Sequence, residues 1–293
     1  IPASGLSAHL AARSFLPQAS LRAFFAATYA LSPALLVAIG SGRLGTIVLA
    51  IALPVLVRLA WRCDETWRRA GVMAILIACT AAWVPATWMF TVLWGIAAAV
   101  LWRRERERRL RLAFIAAASF LLLFPASLEW ILKPTLLLRE AGVTLEPDDG
   151  FELFHTLLLQ PGGPTSPWLF STIGVVAAAV AALIQQRRRR RVAVAWIIGV
   201  VMFGSHVMVW LSSQWLGAID PATGLTLVNW SGPFTLVLGI VWLIVVASVS
   251  DGLSEALSRR SFGWRHIISW LLIAGVAVTP IVTASTWLLQ HDE

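Results

Sequence analysis

Few side chains in this sequence can carry out chemistry, and several of them are close together along the chain. One group is Glu129, Asp148, Asp149, Glu152 and His155. Carboxylates and imidazole accept protons from substrate hydroxyl groups and also bind metal ions. We therefore take these five residues as candidate catalytic groups, with a plain solvated loop as the alternative for each of them.

Two arginines form a second group of candidates. Arg43 lies in the turn GSGRLG, and Arg139 lies in LLLREAG. Because a guanidinium group binds phosphate through two parallel hydrogen bonds, both are candidate contacts for the phosphate of a lipid or substrate. The open alternative is that neither binds anything specific. His206, in the apolar stretch FGSHVMVW, is either a packing residue or a functional group at membrane depth.

The sequence has no pattern typical of a metal or cofactor site. Cys63 and Cys79 are the two cysteines, and they lack the CxxC spacing of a zinc site. No glycine-rich phosphate loop is recognisable. No cofactor is evident, and a divalent metal in the acidic loop stays an open alternative that no ligand spacing supports.

Composition indicates what kind of fold must position these residues. The chain has 293 residues, of which 58% are hydrophobic and 13% are charged, and its mean hydropathy is +0.79. A soluble domain has about a quarter of its residues charged. The sequence therefore predicts an all-α integral membrane protein, a single polytopic domain over 1–293 with about nine transmembrane helices and no β domain.

Apolar stretches of about 20 residues, the length that crosses a bilayer, give the nine segments. They are 23–40, 44–60, the two halves of 70–102 divided near Pro85, 112–132, 168–184, 192–211, 234–250 and 267–289. Between them lie two long polar loops, 133–167 and 212–233, and FELFHTLLL in the first of these predicts a short helix. The start at Ile1 resembles no signal peptide, so we expect an internal cut in a longer polypeptide.

The distribution of arginine along the chain predicts the orientation of the segments in the membrane. If the nine helices alternate in direction, all but three of the 23 Lys and Arg residues fall on one side, and the exceptions are Arg43, Lys133 and Arg139. By the positive-inside rule the arginine-rich side is cytoplasmic, in a bacterial plasma membrane, and the C-terminus is outside. The basic loops, QQRRRRRVAVAW among them, predict contact with anionic lipids, and a nucleic-acid partner is not expected.

Three stretches resemble a known family. They are YALSPALLVAIGSGRLGTIVLAIALPVLVRLAWR at 29–62, LLLQPGGP at 157–164 and SRRSFGWRH at 258–266. Together they resemble the polytopic region of large actinobacterial membrane glycosyltransferases, in which a family-2 (GT-A) catalytic domain precedes many helices. The helix pattern also looks like that of GT-C transferases, which use polyprenyl-phosphate sugars.

The resemblance implies a membrane region of a cell-envelope glycosyltransferase that handles a polyprenyl-phosphate-linked sugar or a growing glycan at the outer leaflet. It implies Arg43 and Arg139 as phosphate contacts, and Glu129 with the 148–155 loop as acceptor-binding groups. The main catalytic residues are expected outside this chain, because no Asp or Glu precedes Asp64. Two alternatives stay open: a transporter or flippase for lipid-linked sugars, and a catalytically inert anchor for an upstream domain.

Overall fold

The protein is all-α, as the sequence predicts. The computed structural model describes residues 1–60, 66–101, 105–138, 140, 146–147, 153–162, 168–184, 189–216, 227–228, 230–250 and 264–291. The helices of the first half are α1 (Pro2–Ala12), α2 (Ala19–Ala30), α3 (Pro33–Gly40), α4 (Leu44–Ala60), α5 (Trp67–Ala81), α6 (Ala86–Leu101), α7 (Arg106–Leu122) and α8 (Ala126–Leu132). Those of the second half are α9 (Leu153–Leu157), α10 (Ile173–Ala181), α11 (Arg189–Leu216), α12 (Gly232–Ser250) and α13 (Trp264–His291).

Short elements complete the described chain. Stretches of 3₁₀ helix occupy Pro134–Leu138, Leu169–Thr172 and Ala182–Ile184. The strands β1 (Glu146–Pro147) and β2 (Leu227–Val228) pair antiparallel, with Glu146 opposite Val228. This pair joins the loops 133–167 and 212–233, so two segments that were predicted to lie on the same side are in contact.

The helices follow the predicted apolar segments closely. The segment 44–60 coincides with α4, and 70–102 is divided into α5 and α6 at Pro85. Two segments differ from a straight span. Segment 23–40 is α2 and α3 with a 42° bend between them, and 112–132 is α7 and α8 with a 106° bend.

Helix α1 was not predicted. Its sequence, PASGLSAHLAA, is short and alternates small and polar residues, so it has no apolar stretch. Its two buried serines have their hydroxyl groups bonded within the helix: Ser4 Oγ donates to the Ile1 carbonyl, and Ser7 Oγ donates to the Ser4 carbonyl. The helix then packs against α2, where a Cβ on Gly5 would lie 3.3 Å from the Ala30 Cβ.

Two apolar clusters hold the helices together. The larger includes Leu35 of α3, Leu49 of α4 and Leu238 of α12. The smaller joins α4 to α5 and α7, through residues such as Ile77 and Ile115. Helices α4 and α6 contribute residues to both clusters and so link them.

The helix contacts use small residues and internally bonded hydroxyl groups. Gly174 of α10 lies against the backbone of Gly275 in α13. Buried hydroxyls donate to carbonyls one turn earlier in their own helix: Thr279 Oγ1 to Gly275 at 3.0 Å and Thr283 Oγ1 to Thr279 at 2.8 Å. Close packing at small residues is typical of helix interfaces in lipid.

Large apolar side chains remain exposed along most of the helices, including Val200, Met208, Leu271 and Ile281. By length and apolar composition, the part of α13 over Leu271–Leu289 is the one described helix that could cross a membrane alone. Counting each bent pair as a single span raises this number to three. Shorter apolar helices occupy Leu44–Ala60, Ala86–Ala99, Leu169–Ala181, Val192–Met208 and Gly232–Ser248.

Candidate functional site

The turn between α3 and α4 places Arg43. Helix α3 ends in a Schellman motif: the amide of Gly42 donates to Ile39 O at 3.3 Å, and that of Arg43 donates to Ala38 O at 2.8 Å. Gly42 has φ of +68°, a conformation that glycine adopts without steric cost. The carbonyl of Arg43 then accepts the amide of Ile47, so α4 begins at once and Arg43 is fixed at its N-terminus.

The guanidinium of Arg43 lies against the carboxylate of Glu140. Arg43 Nη1 is 3.7 Å from Glu140 Oε2, and the two side chains are 6% and 5% exposed. Thr46 Oγ1, in the first turn of α4, donates a hydrogen bond to Glu140 Oε1. A buried charge is costly unless it is paired and hydrogen-bonded, and this carboxylate has both kinds of partner.

An aromatic ring covers the ion pair from a third segment. The guanidinium carbon of Arg43 is 4.4 Å from the centroid of Trp230, within the range of a cation–π interaction. Trp230 precedes α12, and its neighbour Ser231 donates through Oγ to Pro161 O at 2.7 Å. The ring is therefore held by both the start of α12 and the segment after α9.

The turn between α5 and α6 closes the site. A Cβ on Gly45 would lie 3.0 Å from Val84 Cγ2, 3.1 Å from Trp83 O and 3.5 Å from Glu140 Cδ. Only the absence of a side chain at position 45 lets α4 approach this turn and the carboxylate together. We call Arg43, Thr46, Glu140 and Trp230 the Arg43 cluster.

The Arg43 cluster is polar at the end of an apolar bundle. Its anion sits at the N-terminus of α4, where the helix dipole favours negative charge. The opposite end of α4 carries Arg58, whose Nη1 lies 3.4 Å from Leu10 O in α1. The guanidinium of Arg43 can bind phosphate, the ring of Trp230 can stack on a sugar, and the carboxylate of Glu140 can take up a proton.

The predicted site residues have different outcomes. Arg43 lies in the cluster, whereas Glu129 is exposed on α8 and His155 is half-buried in α9. Arg139, Asp148, Asp149 and Glu152 lie outside the described residues. Among the described residues, the carboxylate that pairs with Arg43 is Glu140, which was not among the predicted candidates.

Three residues of the cluster were not predicted. Glu140 and Trp230 belong to the two long loops, and Thr46 begins α4. The one local signal was the position of Arg43 in GSGRLG, on the side of the predicted topology where arginine is scarce. Nothing in the sequence indicates which carboxylate supplies it, because the contact joins distant parts of the chain.

His206 lies deeper in the bundle and belongs to an aromatic group. It is 2% exposed, and its ring centroid is 5.4 Å from that of Phe234. Phe234 in turn meets Phe90 edge-to-face at 5.1 Å. These contacts agree with the interpretation of His206 as a packing residue.

In the described part of the chain, no three His, Cys, Asp or Glu side chains are grouped to hold a metal ion. Comparison of the chain with protein-family models, curated proteins and solved structures found no match.

Proposed function

We propose that the chain is the polytopic membrane region of a bacterial cell-envelope glycosyltransferase that handles a polyprenyl-phosphate-linked sugar or a growing glycan at the outer leaflet. In this proposal the nine predicted segments cross the plasma membrane, the fifth of them, 112–132, through its α7 part. The observation that carries the site is the buried Arg43–Glu140 pair, covered by Trp230 at the arginine-poor end of the bundle.

Both the exposed surface and the buried interior of the helices support the proposed membrane setting. Exposed leucines, isoleucines and valines on α10, α11 and α13 are suited to acyl chains. Buried hydroxyls bonded to their own helix, and the Gly174–Gly275 contact, are suited to packing where water is absent. Helix α4 has 17 residues, which gives a length of about 25 Å, close to the hydrocarbon thickness.

The residues that lie at each end of α4 support the proposed orientation of the bundle in the membrane. Arg58 approaches the end of α1 at one end. At the other end, the turn at Trp83, Glu140 and Trp230 surround Arg43. The end that has the arginine-rich loops in the sequence is assigned to the cytoplasm, and the Arg43 cluster is assigned to the outer leaflet.

The proposed reaction is a direct displacement at the anomeric carbon. An acceptor hydroxyl oxygen forms the new glycosidic bond while the bond to the polyprenyl phosphate oxygen breaks. The leaving phosphate keeps the electron pair, and the Arg43 guanidinium stabilises its charge. The acceptor proton passes to a carboxylate, for which Glu140 is the group within the cluster.

One observation favours the transporter alternative. Discontinuous helices are typical of substrate sites in secondary transporters, and the chain bends by 42° between α2 and α3. A small cavity lies beside this break, between Tyr29, Ser32, Leu159, Thr235 and Thr279. Its walls are uncharged, which is a poor fit to a lipid-linked phosphate, so we rank this function second.

Substitution in the chromosomal gene tests the proposal. Arg43→Gln combined with Glu140→Gln removes both charges, so that no unpaired charge stays buried. With the protein present in the membrane at its normal level, we expect synthesis of the envelope glycan to fall by about 100-fold, the typical effect of losing electrostatic stabilisation in a transition state.

Two controls make this result specific. Arg109→Gln removes an exposed arginine at the opposite end of the bundle, and Glu129→Gln removes an exposed carboxylate outside the cluster. We expect Arg109→Gln to leave the glycan unchanged. If the double variant also makes normal glycan, the Arg43 cluster is structural and the chain is an anchor or a transporter.

A further inference from the structure

Helix α8 leaves the direction of α7 almost at a right angle. The axes of the two helices differ by 106° across the break at 123–125. If α7 crosses the membrane as proposed above, α8 must run nearly parallel to the membrane surface, at the outer end of the bundle.

The residues of α8 divide into three faces. At 100° per residue, Ser127 and Trp130 share one face, and both are buried. A second face has Leu128, Ile131 and Leu132, which are 44%, 63% and 72% exposed. The third has Ala126 and Glu129, followed by Lys133, and all three are exposed.

The buried face attaches α8 to the bundle. Ser127 Oγ donates to Phe120 O at 2.8 Å. The Trp130 ring packs against Trp88 and Phe120, with centroids 6.2 and 6.3 Å away. Because both anchors lie on one side, the rotation of α8 about its axis is fixed, and so are the directions of the other two faces.

Exposed apolar side chains also lie just before α8. Leu121, Leu122 and Phe124, at the end of α7 and in the turn, are 69%, 58% and 63% exposed. Six large apolar side chains are therefore exposed within twelve residues around the bend. Exposed apolar groups of this kind mark an interaction surface, and those on α7 already face lipid in the proposed topology.

We propose that α8 is an in-plane helix of the outer leaflet, with Leu128, Ile131 and Leu132 in the acyl-chain layer and Ala126, Glu129 and Lys133 towards headgroups and water. The occupant of the apolar face is the hydrocarbon of the bilayer. The exposed apolar residues Leu121, Leu122 and Phe124 next to α8, which face lipid in the proposed topology, support this occupant, and the polar third face fits the headgroup region on the other side.

This placement has a consequence for the Arg43 cluster. The 3₁₀ segment Pro134–Leu138 follows α8 directly and leads to Glu140. A helix held at the boundary between acyl chains and headgroups therefore sets the depth from which Glu140 reaches Arg43. The cluster then lies at the level of lipid phosphates, and Glu129 is a headgroup-facing residue rather than part of it.

Spin labels on single cysteines test the proposal in the full chain, reconstituted in phosphatidylcholine–phosphatidylglycerol vesicles. Cys63 and Cys79 are first replaced by alanine. Labels go to Leu128, Ile131 and Leu132, and in separate variants to Ala126, Glu129 and Lys133. All six positions are exposed, so each label can be accommodated without repacking. Collisions with oxygen, which concentrates in hydrocarbon, are compared with those of a water-soluble nickel chelate.

We expect the oxygen-to-nickel collision ratio to be several-fold higher at 128, 131 and 132 than at 126, 129 and 133. Equal nickel access at all six positions would overturn the proposal, because α8 would then lie in water. Low access to both reagents at 128, 131 and 132 would also overturn it, since a second copy of the chain would then cover the face.

Labels at Leu271 and Ile281 of α13 separate this proposal from the membrane setting on which it rests. Both residues are exposed on the apolar helix, so they should favour oxygen wherever α8 lies. If they do and α8 does not, the inference about α8 fails alone. If α13 favours nickel as well, the proposed membrane topology fails first.

Discussion

The side chains of Arg43 and Glu140 lie 3.7 Å apart, between Nη1 and Oε2, and both are almost completely buried. They come from parts of the chain that are separated by the helices α4 to α8. One is fixed by a helix-ending turn, and the other arrives from a loop and is held by Thr46. The pair therefore makes this end of the bundle depend on two distant segments at once.

Removing one member of this pair should destabilise the protein strongly. Arg43→Gln or Glu140→Gln alone leaves a buried charge without its partner, which costs about 3 to 5 kcal/mol. The double variant should lose less free energy of unfolding than the two single variants lose together, with a coupling energy of about 1 to 3 kcal/mol. Unfolding in detergent mixtures measures these free energies. Purely additive losses would show that the two charges do not interact.

The Trp230 ring should contribute separately from the charges. Its contact with the guanidinium at 4.4 Å is largely shielded from water, so Trp230→Leu should cost about 2 kcal/mol. Trp230→Phe should retain part of this stabilisation, because the smaller phenylalanine ring still offers a π face to the guanidinium. The same unfolding measurement, combined with Arg43→Gln, checks the cause: in that background the effect of Trp230→Leu should shrink. An unchanged effect would assign it to packing alone.

The contact between α10 and α13 should depend on glycine. A Cβ on Gly174 would overlap the Gly275 carbonyl group and lie 2.8 Å from Val276 N. Gly174→Ala should therefore force the helices apart and lower the melting temperature of the purified protein. Gly95→Ala is the matched control, since nothing lies within 4 Å of a Cβ there. It should be stabilising by up to about 1 kcal/mol through helix propensity. Equal effects at both positions would rule out the close approach.

The proposed orientation predicts which residues a membrane-impermeant thiol reagent reaches in intact cells. In a cysteine-free background, Lys133→Cys lies on the outer side and should react. Arg109→Cys, equally exposed in the structure, should react only after the cells are permeabilised. Labelling of Arg109→Cys in intact cells would reverse the assignment of the two ends.

Hydropathy predicted most of the helices because long apolar stretches are a local property of the chain. Helix α4 begins and ends where the sequence indicated. Helix α1 was missed because its stability comes from packing of small residues on α2 rather than from an apolar stretch of its own. The sharp turn into α8 was also missed, since the apolar pattern continues through Pro125 while the direction of the chain changes.

The candidate site was predicted in part. The turn GSGRLG identified Arg43 as a candidate because arginine is otherwise scarce on that side of the predicted topology. Its partner, Glu140, could not be chosen from the acidic residues of the loop, because a contact between distant segments depends on how the helices pack. Glu129 was the candidate carboxylate in the sequence, yet in the structure it is exposed on α8.

Binding of polyprenyl phosphate to the protein in lipid nanodiscs tests the central claim most directly. The titration compares polyprenyl phosphate with polyprenol, which lacks the phosphate group, for the wild type, the double variant Arg43→Gln with Glu140→Gln, and Arg109→Gln. We predict that the wild type and Arg109→Gln bind the phosphate at least tenfold more tightly than the alcohol, and that the double variant binds both equally weakly. A tenfold difference corresponds to about 1.4 kcal/mol. If the folded double variant retains the wild-type preference for phosphate, the Arg43 cluster is not the phosphate site and the account is contradicted.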